Sequence, residues 1–281
     1  MFNRKVLKDR AKSVLATSYW PTLAIVLVYY AASTIIANFF TLNISSTITL
    51  YSTSTVILYA GIILIRILMS FAATILLTYP LLVGVNKYLL EQAKGTSPQI
   101  SEILYAFRSN YSKIVCTVLA KQLVITLLIL LPMLALGILS VYLLLKTGYT
   151  LPTEFNTAQL ERLSVHLTES PAFMLLPLFT ILITIPALIK VYDYYLVEYI
   201  IAEDSDISWR EALRKSKNMM KGNRFATFVL GLSFIGWTML GVFLCGIGSV
   251  FVIPYIFATD AQLYLELSGK TTYEPRNDFE F

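Results

Sequence analysis

Histidine, cysteine and charge are scarce in this chain. One histidine and two cysteines occur among 281 residues. A three-His or mixed Cys/His metal site is therefore excluded. Cys116 and Cys245 sit far apart inside apolar runs and read as small buried hydrophobes, not as a disulfide or a metal pair. His166 lies in a polar loop. The chain has no G-x-x-x-x-G-K-[ST] phosphate loop, no G-x-S-x-G elbow and no H-E-x-x-H. Its polar segments are too short to hold a catalytic domain, and no nucleophile–base pair is evident. The expectation is a protein that is not an enzyme and needs no cofactor. Only 14% of residues are charged, while 57% are hydrophobic. A soluble domain has about 25% and about 45–50%.

What is present is apolar sequence, with a mean hydropathy of +0.69. A soluble fold of this length would already have ample core, so the excess needs lipid to face. Trp20 to Phe40 follows a segment holding Arg4, Lys5, Lys8, Arg10 and Lys12. A signal peptide begins the same way, but this run reaches the roughly 20 residues that span a bilayer, and no persuasive small-x-small cleavage site follows it. Val56 to Val85, Ile114 to Leu145 and Ala172 to Ile200 are further runs. Phe225 to Leu267 is too long for one span and divides at Cys245-Gly246-Ile247-Gly248, a tight-turn sequence. The reading is an all-α, polytopic membrane protein with six transmembrane helices. Five spans, with the last segment half-inserted, is the alternative.

Charge alternates with the spans. The loop Leu42 to Thr55 has no Lys or Arg, and in Lys146 to Pro171 the basic residues Lys146 and Arg162 are offset by Glu154, Glu161 and Glu169. Asn86 to Lys113 holds four basic residues and Ile201 to Arg224 holds six. Lys270 and Arg276 lie in the tail. Positive segments stay cytoplasmic, which predicts a multi-pass cell-membrane protein with both termini inside.

The basic segments have their own pattern. Ser208 and Glu211 form a capping box, and Trp209, Ala212, Leu213, Ser216, Met219 and Met220 share a helix face. Arg210, Arg214, Lys215, Lys217 and Lys221 fall mostly elsewhere, as in a basic amphipathic helix on a membrane surface. These five are candidate contacts to anionic lipid headgroups. Nucleic acid is not expected as a partner, because no base-reading module accompanies them. The same device precedes spans 1 and 3. Leu7, Ala11, Val14, Leu15 and Ser18 make a stripe near the N-terminus. Ser97-Pro98 offers a cap to a stripe of Ile100, Ile103, Leu104, Phe107, Tyr111 and Ile114. This organisation gives one integral membrane domain, 1–267, built of three helical-hairpin repeats, 1–90, 97–200 and 207–267. A flexible cytoplasmic tail, 268–281, follows.

Charges inside spans are functional candidates by default. Arg66, Lys190, Asp193, Glu198 and Asp260 are the five here. Lys190 and Asp193 share a helix face and can pair. The five either line a polar path for an ion or solute, or are satisfied pairs and snorkelling ends. The prolines at 80, 132, 177, 186 and 254 read as ordinary kinks in membrane helices. Gly231, Gly236, Gly241 and Gly246 recur every five residues, which is not the spacing of one close-packing face. Tyr192, Tyr194, Tyr195 and Tyr199 suit an interfacial belt.

The stretch from Ile207 to Leu267 carries a resemblance. Glu211-Ala212-Leu213, Ser216, Met220-Lys221-Gly222, Gly236-Trp237, Pro254-Tyr255, Thr259, Ala261 and Tyr264 are its matching features. On these the chain resembles bacterial integral membrane proteins of domain-of-unknown-function family nine-seven-five. It is more distantly similar to the membrane portion fused to some glycerophosphodiester phosphodiesterases. The first resemblance implies a bacterial cytoplasmic membrane and no catalytic residues. The second implies an accessory role beside lipid-handling or export proteins. The functional expectation is a non-enzymatic accessory or scaffolding component, with other membrane proteins or anionic lipids as partners. A small-solute or ion transporter is the rival, and a membrane-embedded lipid enzyme a third class.

Overall fold

Proline accounts for two irregularities in these helices. Helix α1 (Arg4–Phe40) contains Pro21 and breaks at Ser18, whose backbone (φ −142, ψ 25) leaves the helical region. Pro21 has no N–H for the Thr17 carbonyl and its ring presses on it, so the preceding turn opens. The Thr22 hydroxyl then donates to the Ser18 carbonyl at 2.8 Å. Helix α2 (Thr53–Ala73) runs through a π-helical turn, Thr74–Thr78, into α3 (Tyr79–Ala93). Pro80 leaves the Leu76 carbonyl without its helical donor, and the Tyr111 hydroxyl supplies one at 2.7 Å.

The computed structural model describes residues 2–40, 53–146, 176–243 and 247–270. After α3 come a 3-10 turn (Ile100–Leu104), α4 (Tyr105–Arg108) and α5 (Tyr111–Lys146). Then follow α6 (Leu176–Val191), a 3-10 turn (Tyr192–Tyr194), α7 (Val197–Glu203), α8 (Trp209–Met220), α9 (Arg224–Phe243) and α10 (Ile247–Leu267). No strand occurs among the described residues. Six helical stretches are long and apolar enough to cross a membrane: Arg4–Phe39, Gly61–Ala93, Tyr111–Lys146, Thr180–Glu203, Arg224–Phe243 and Gly248–Leu267. The chain is thus an all-helical polytopic membrane protein. Most of loop 42–55, most of loop 146–171, His166, Cys245, Gly246 and tail residues 271–281 lie outside the described residues.

The chain groups into two compact units. One comprises Met1–Lys121 with Tyr194–Phe281, the other Gln122–Asp193. In the first, α10 packs against α1, α9 and α3, and α3 against α7 and the 100–104 turn. Leu7, Leu230, Phe234 and Leu263 form one buried cluster; Ala11, Leu15 and Ala258 form a second. Leu7, Ala11 and Leu15 of the N-terminal stripe therefore face protein. The Lys8 ammonium lies 4.5 Å from the Phe234 ring centroid, within cation–π range. The second unit holds the remainder of α5, with α6. Leu123, Leu127, Leu131, Ile138, Ile181 and Leu188 are all exposed there, which suits helices solvated by hydrocarbon.

The expected helix before span 3 differs. Ser97-Pro98 does not cap it: the 3-10 turn starts at Ile100, Gln99 occupies the cap position, and no side chain bonds there. Residues 94–96 instead close α3. Gly95 has φ +85, Thr96 N donates to Glu91 O and Gly95 N to Gln92 O. This is a Schellman exit that only a glycine enters without strain. The expected stripe is also broken: Ile103 and Ile114 are buried, but Ile100, Leu104 and Phe107 are exposed. Gly84 explains the change, since a Cβ there would collide with the Ile103 carbonyl. The turn lies directly on α3, backbone against helix. Cys116 is likewise exposed rather than buried.

Candidate functional site

Helix α7 is short and almost wholly interior, with every residue from Val197 to Ala202 buried. Polar side chains on such an element need partners. Each of the following has one. Glu198 receives Lys121 Nζ from α5 at 2.5 Å on both carboxylate oxygens. The side chains are only 6% and 12% exposed. Tyr195, just before α7, donates its hydroxyl to Asp260 Oδ2 on α10 at 2.8 Å. Tyr199 reaches the Phe257 carbonyl at 3.5 Å and stacks on Tyr264, with ring centroids 5.8 Å apart.

Glu203 closes the same helix. Its Oε2 accepts from the Tyr264 hydroxyl at 2.8 Å and from Lys270 Nζ at 2.7 Å. Lys94 lies 3.6 Å from the other oxygen and 3.4 Å from Glu91, which Lys87 also approaches at 3.3 Å. A ladder of alternating charge thus ties the ends of α3, α7 and α10 together. Beyond α7, Asp206 accepts from Asn110 and Lys113. Helix α8 begins with Ser208 Oγ accepting from the Glu211 N–H, the cap expected of that sequence. Its Ser216 hydroxyl, fully buried, accepts from the Leu196 N–H at 3.3 Å.

A second polar cluster sits at the α1 bend. Gln92 Nε2 donates to the hydroxyls of Ser18 at 2.5 Å and Thr22 at 2.8 Å. Gln92 and Thr22 are both buried, so the amide holds the bent backbone in one arrangement.

The five span charges fall in different settings. Glu198 and Asp260 are in the first unit, each with its own partner. Arg66 is half-buried on α2, beside exposed Ile65 and Ile67, and forms no ion pair among the described residues. In the second unit Lys190 is exposed and Asp193 is buried. No salt bridge joins these two among the described residues. Of the basic residues around α8, Arg210, Arg214, Lys217 and Lys221 are exposed and Lys215 is half-buried. None of the five forms a salt bridge among the described residues.

Lys121 is the residue that sequence reasoning passed over. Its signal was available: a lone charge in an apolar run, like Arg66. Gln92 and Glu203 gave no comparable signal, because both lie at span ends where polar residues are ordinary. No cluster of three His, Cys, Asp or Glu side chains suited to a metal ion occurs among the described residues.

No curated protein and no solved structure matches the chain. A family model described as "Protein of unknown function (DUF975)" matches residues 1–271. That span is nearly the whole sequence, and the chain belongs to the DUF975 family.

Proposed function

We propose that this protein is a non-enzymatic accessory or scaffolding component of the bacterial cell membrane. Both termini lie in the cytoplasm, and α8 presents its basic face to anionic headgroups. The observation that supports this reading is the closure of the buried charges in the first unit. A carrier needs groups that exchange an internal partner for a solute. Glu198 is instead held by Lys121 through both oxygens and is nearly sealed from solvent. Exposed cations without a salt bridge among the described residues lie on α8 and just after it, at Arg210, Arg214, Lys217 and Lys221. Each cation near an anionic leaflet contributes about 1 kcal/mol, less as salt rises.

The test is native mass spectrometry of the full chain from nanodiscs of mixed phosphatidylglycerol and phosphatidylcholine. The parent retains phosphatidylglycerol, and the variant with Gln at positions 210, 214, 217 and 221 loses that preference. Reporter fusions at Ser45 and Arg214 label opposite compartments, and mild-detergent purification brings a membrane-protein partner. Equal retention of both lipids by parent and variant, with no partner recovered, defeats the proposal.

A small-solute or ion transporter is the second reading. Asp260 favours it, a carboxylate within a span whose bond from Tyr195 comes from a neutral hydroxyl. Solute flux into proteoliposomes that Asp260→Asn or Asp193→Asn abolishes would establish it.

A further inference from the structure

The bend in α1 opens a cleft that no reading above uses. It has a volume of about 820 Å³ and lies between the Ser18 turn, the end of α3 and the loop that follows it. Its polar wall includes Thr17, Ser18, Gln92, Thr96, Ser97, Gln99 and Ser101. Val14, Pro21 and Ile100 supply apolar surface. No Asp, Glu, Lys, Arg or His is among the residues that line it.

The wall's hydrogen-bonding sense is legible. Thr17 and Ser18 donate their hydroxyl protons to the Val14 carbonyl at 3.2 and 2.8 Å. Thr96 donates to the Glu91 carbonyl at 2.7 Å and Ser101 to Gln99 Oε1 at 3.3 Å. With their protons engaged, the hydroxyls of Thr17, Thr96 and Ser101 offer lone pairs to a ligand, while Ser18 already accepts from Gln92. The cleft therefore favours a guest rich in O–H donors. Charge is selected against, because an anion would meet no cation and a cation no carboxylate, leaving desolvation uncompensated. The apolar patches accept the C–H face of a sugar or glycerol unit. The volume falls within the roughly 300–1,000 Å³ of small-molecule sites.

The position gives the source. Pro21 lines the cleft and its neighbour Trp20 is 72% exposed. The charged turns of α1 end at Lys12 and its apolar run begins at Trp20. Exposed tryptophan at such a boundary marks headgroup depth. We infer that this cleft is a binding site for an uncharged polyhydroxyl group, the sugar headgroup of a neutral glycolipid. The same chemistry would admit a free sugar.

Nanodiscs distinguish the two sources. The full chain is placed in phosphatidylcholine containing monoglucosyl-diacylglycerol, and retained lipid is counted by native mass spectrometry. A second arm titrates soluble methyl glucoside, and a third replaces the glycolipid with phosphatidylglycerol. Ser97 lines the cleft, is exposed, and is not a donor in any hydrogen bond among the described residues, so Ser97→Trp plugs the site without emptying a core. Gln99→Ala is the milder variant, removing one wall amide. Glycolipid retention should fall about tenfold in Ser97→Trp, the equivalent of about 1.4 kcal/mol, and less in Gln99→Ala. Glucoside binding alone, blocked by Ser97→Trp, keeps the site and assigns it a soluble ligand. Three results overturn the inference: no binding of either probe, binding unchanged in both variants, or phosphatidylglycerol binding with the same sensitivity to Ser97→Trp.

Discussion

Replacing Lys121 with methionine is the sharpest perturbation of this fold. The change keeps an unbranched chain as far as the ε position and removes the ammonium beyond it. It strands the Glu198 carboxylate, 6% exposed and otherwise gripped at 2.5 Å on both oxygens. Breaking a buried pair by deleting one partner costs about 3–5 kcal/mol, whereas replacing both with apolar residues is often neutral or stabilising. At about 1.4 kcal/mol per decade, the unfolding equilibrium of Lys121→Met should shift roughly 140- to 4,000-fold. Glu198→Met should cost a similar amount, and the double variant should recover most of the loss. Unfolding by SDS in mixed micelles, followed by circular dichroism, gives the three free energies and hence the coupling. Lys87→Met is the control, because the Lys87–Glu91 pair is more open and such pairs are worth about 0–1 kcal/mol. The reasoning fails if Lys121→Met lies within about 0.5 kcal/mol of the parent, a typical surface effect. It fails equally if the double variant is no better than the singles.

Two further predictions use the same assay. Tyr195→Phe deletes a 2.8 Å bond to a carboxylate and should cost about 1.5–3 kcal/mol, while Tyr199→Phe, whose bond is 3.5 Å, should cost at most about 1 kcal/mol. Equal losses would show that the tyrosines act through packing alone. Gly84→Ala and Gly241→Ala place a Cβ against backbone, that of Ile103 and of Gly248–Ser249 respectively. Each should destabilise by about 1–3 kcal/mol. Gly231→Ala and Gly236→Ala meet nothing within 4 Å and should gain up to about 1 kcal/mol from helix propensity. Indistinguishable effects at the four positions would remove the close-approach argument.

The spans were legible because an apolar run of membrane length has few alternative solutions. Each of the six membrane-length helices overlaps an apolar run of the sequence. The Ser208 cap was legible for a different reason, since a serine followed three residues later by glutamate solves a local problem locally. Pairing is not local. Lys121 and Glu198 are 77 residues apart, and nothing in either neighbourhood names the other. The glycines show the same limit. Gly231, Gly236 and Gly241 look alike in sequence, yet only Gly241 meets another backbone. The misplaced cap at Ser97 has a subtler origin. Its signal was real, but Gly95 had already committed the following residue, Thr96, to closing α3.

Helix α8 shows how the fold narrows the functional question. A basic amphipathic helix on a membrane ordinarily holds on through its buried apolar face, with charge as the lesser contribution. Here Ala212, Leu213, Ser216 and Met220 are buried within the protein, and Ser216 is bonded to the start of α7. That face is not available to lipid. What α8 offers outward is Trp209, 39% exposed, with Arg210 5.0 Å above its ring, and the remaining cations. Any grip on a bilayer must then be mainly electrostatic, sensitive to salt and selective for anionic headgroups. The cleft at the α1 bend has the opposite character, since its lining is uncharged. A protein holding both would sort lipids by two independent criteria, and ionic strength would disturb only one of them.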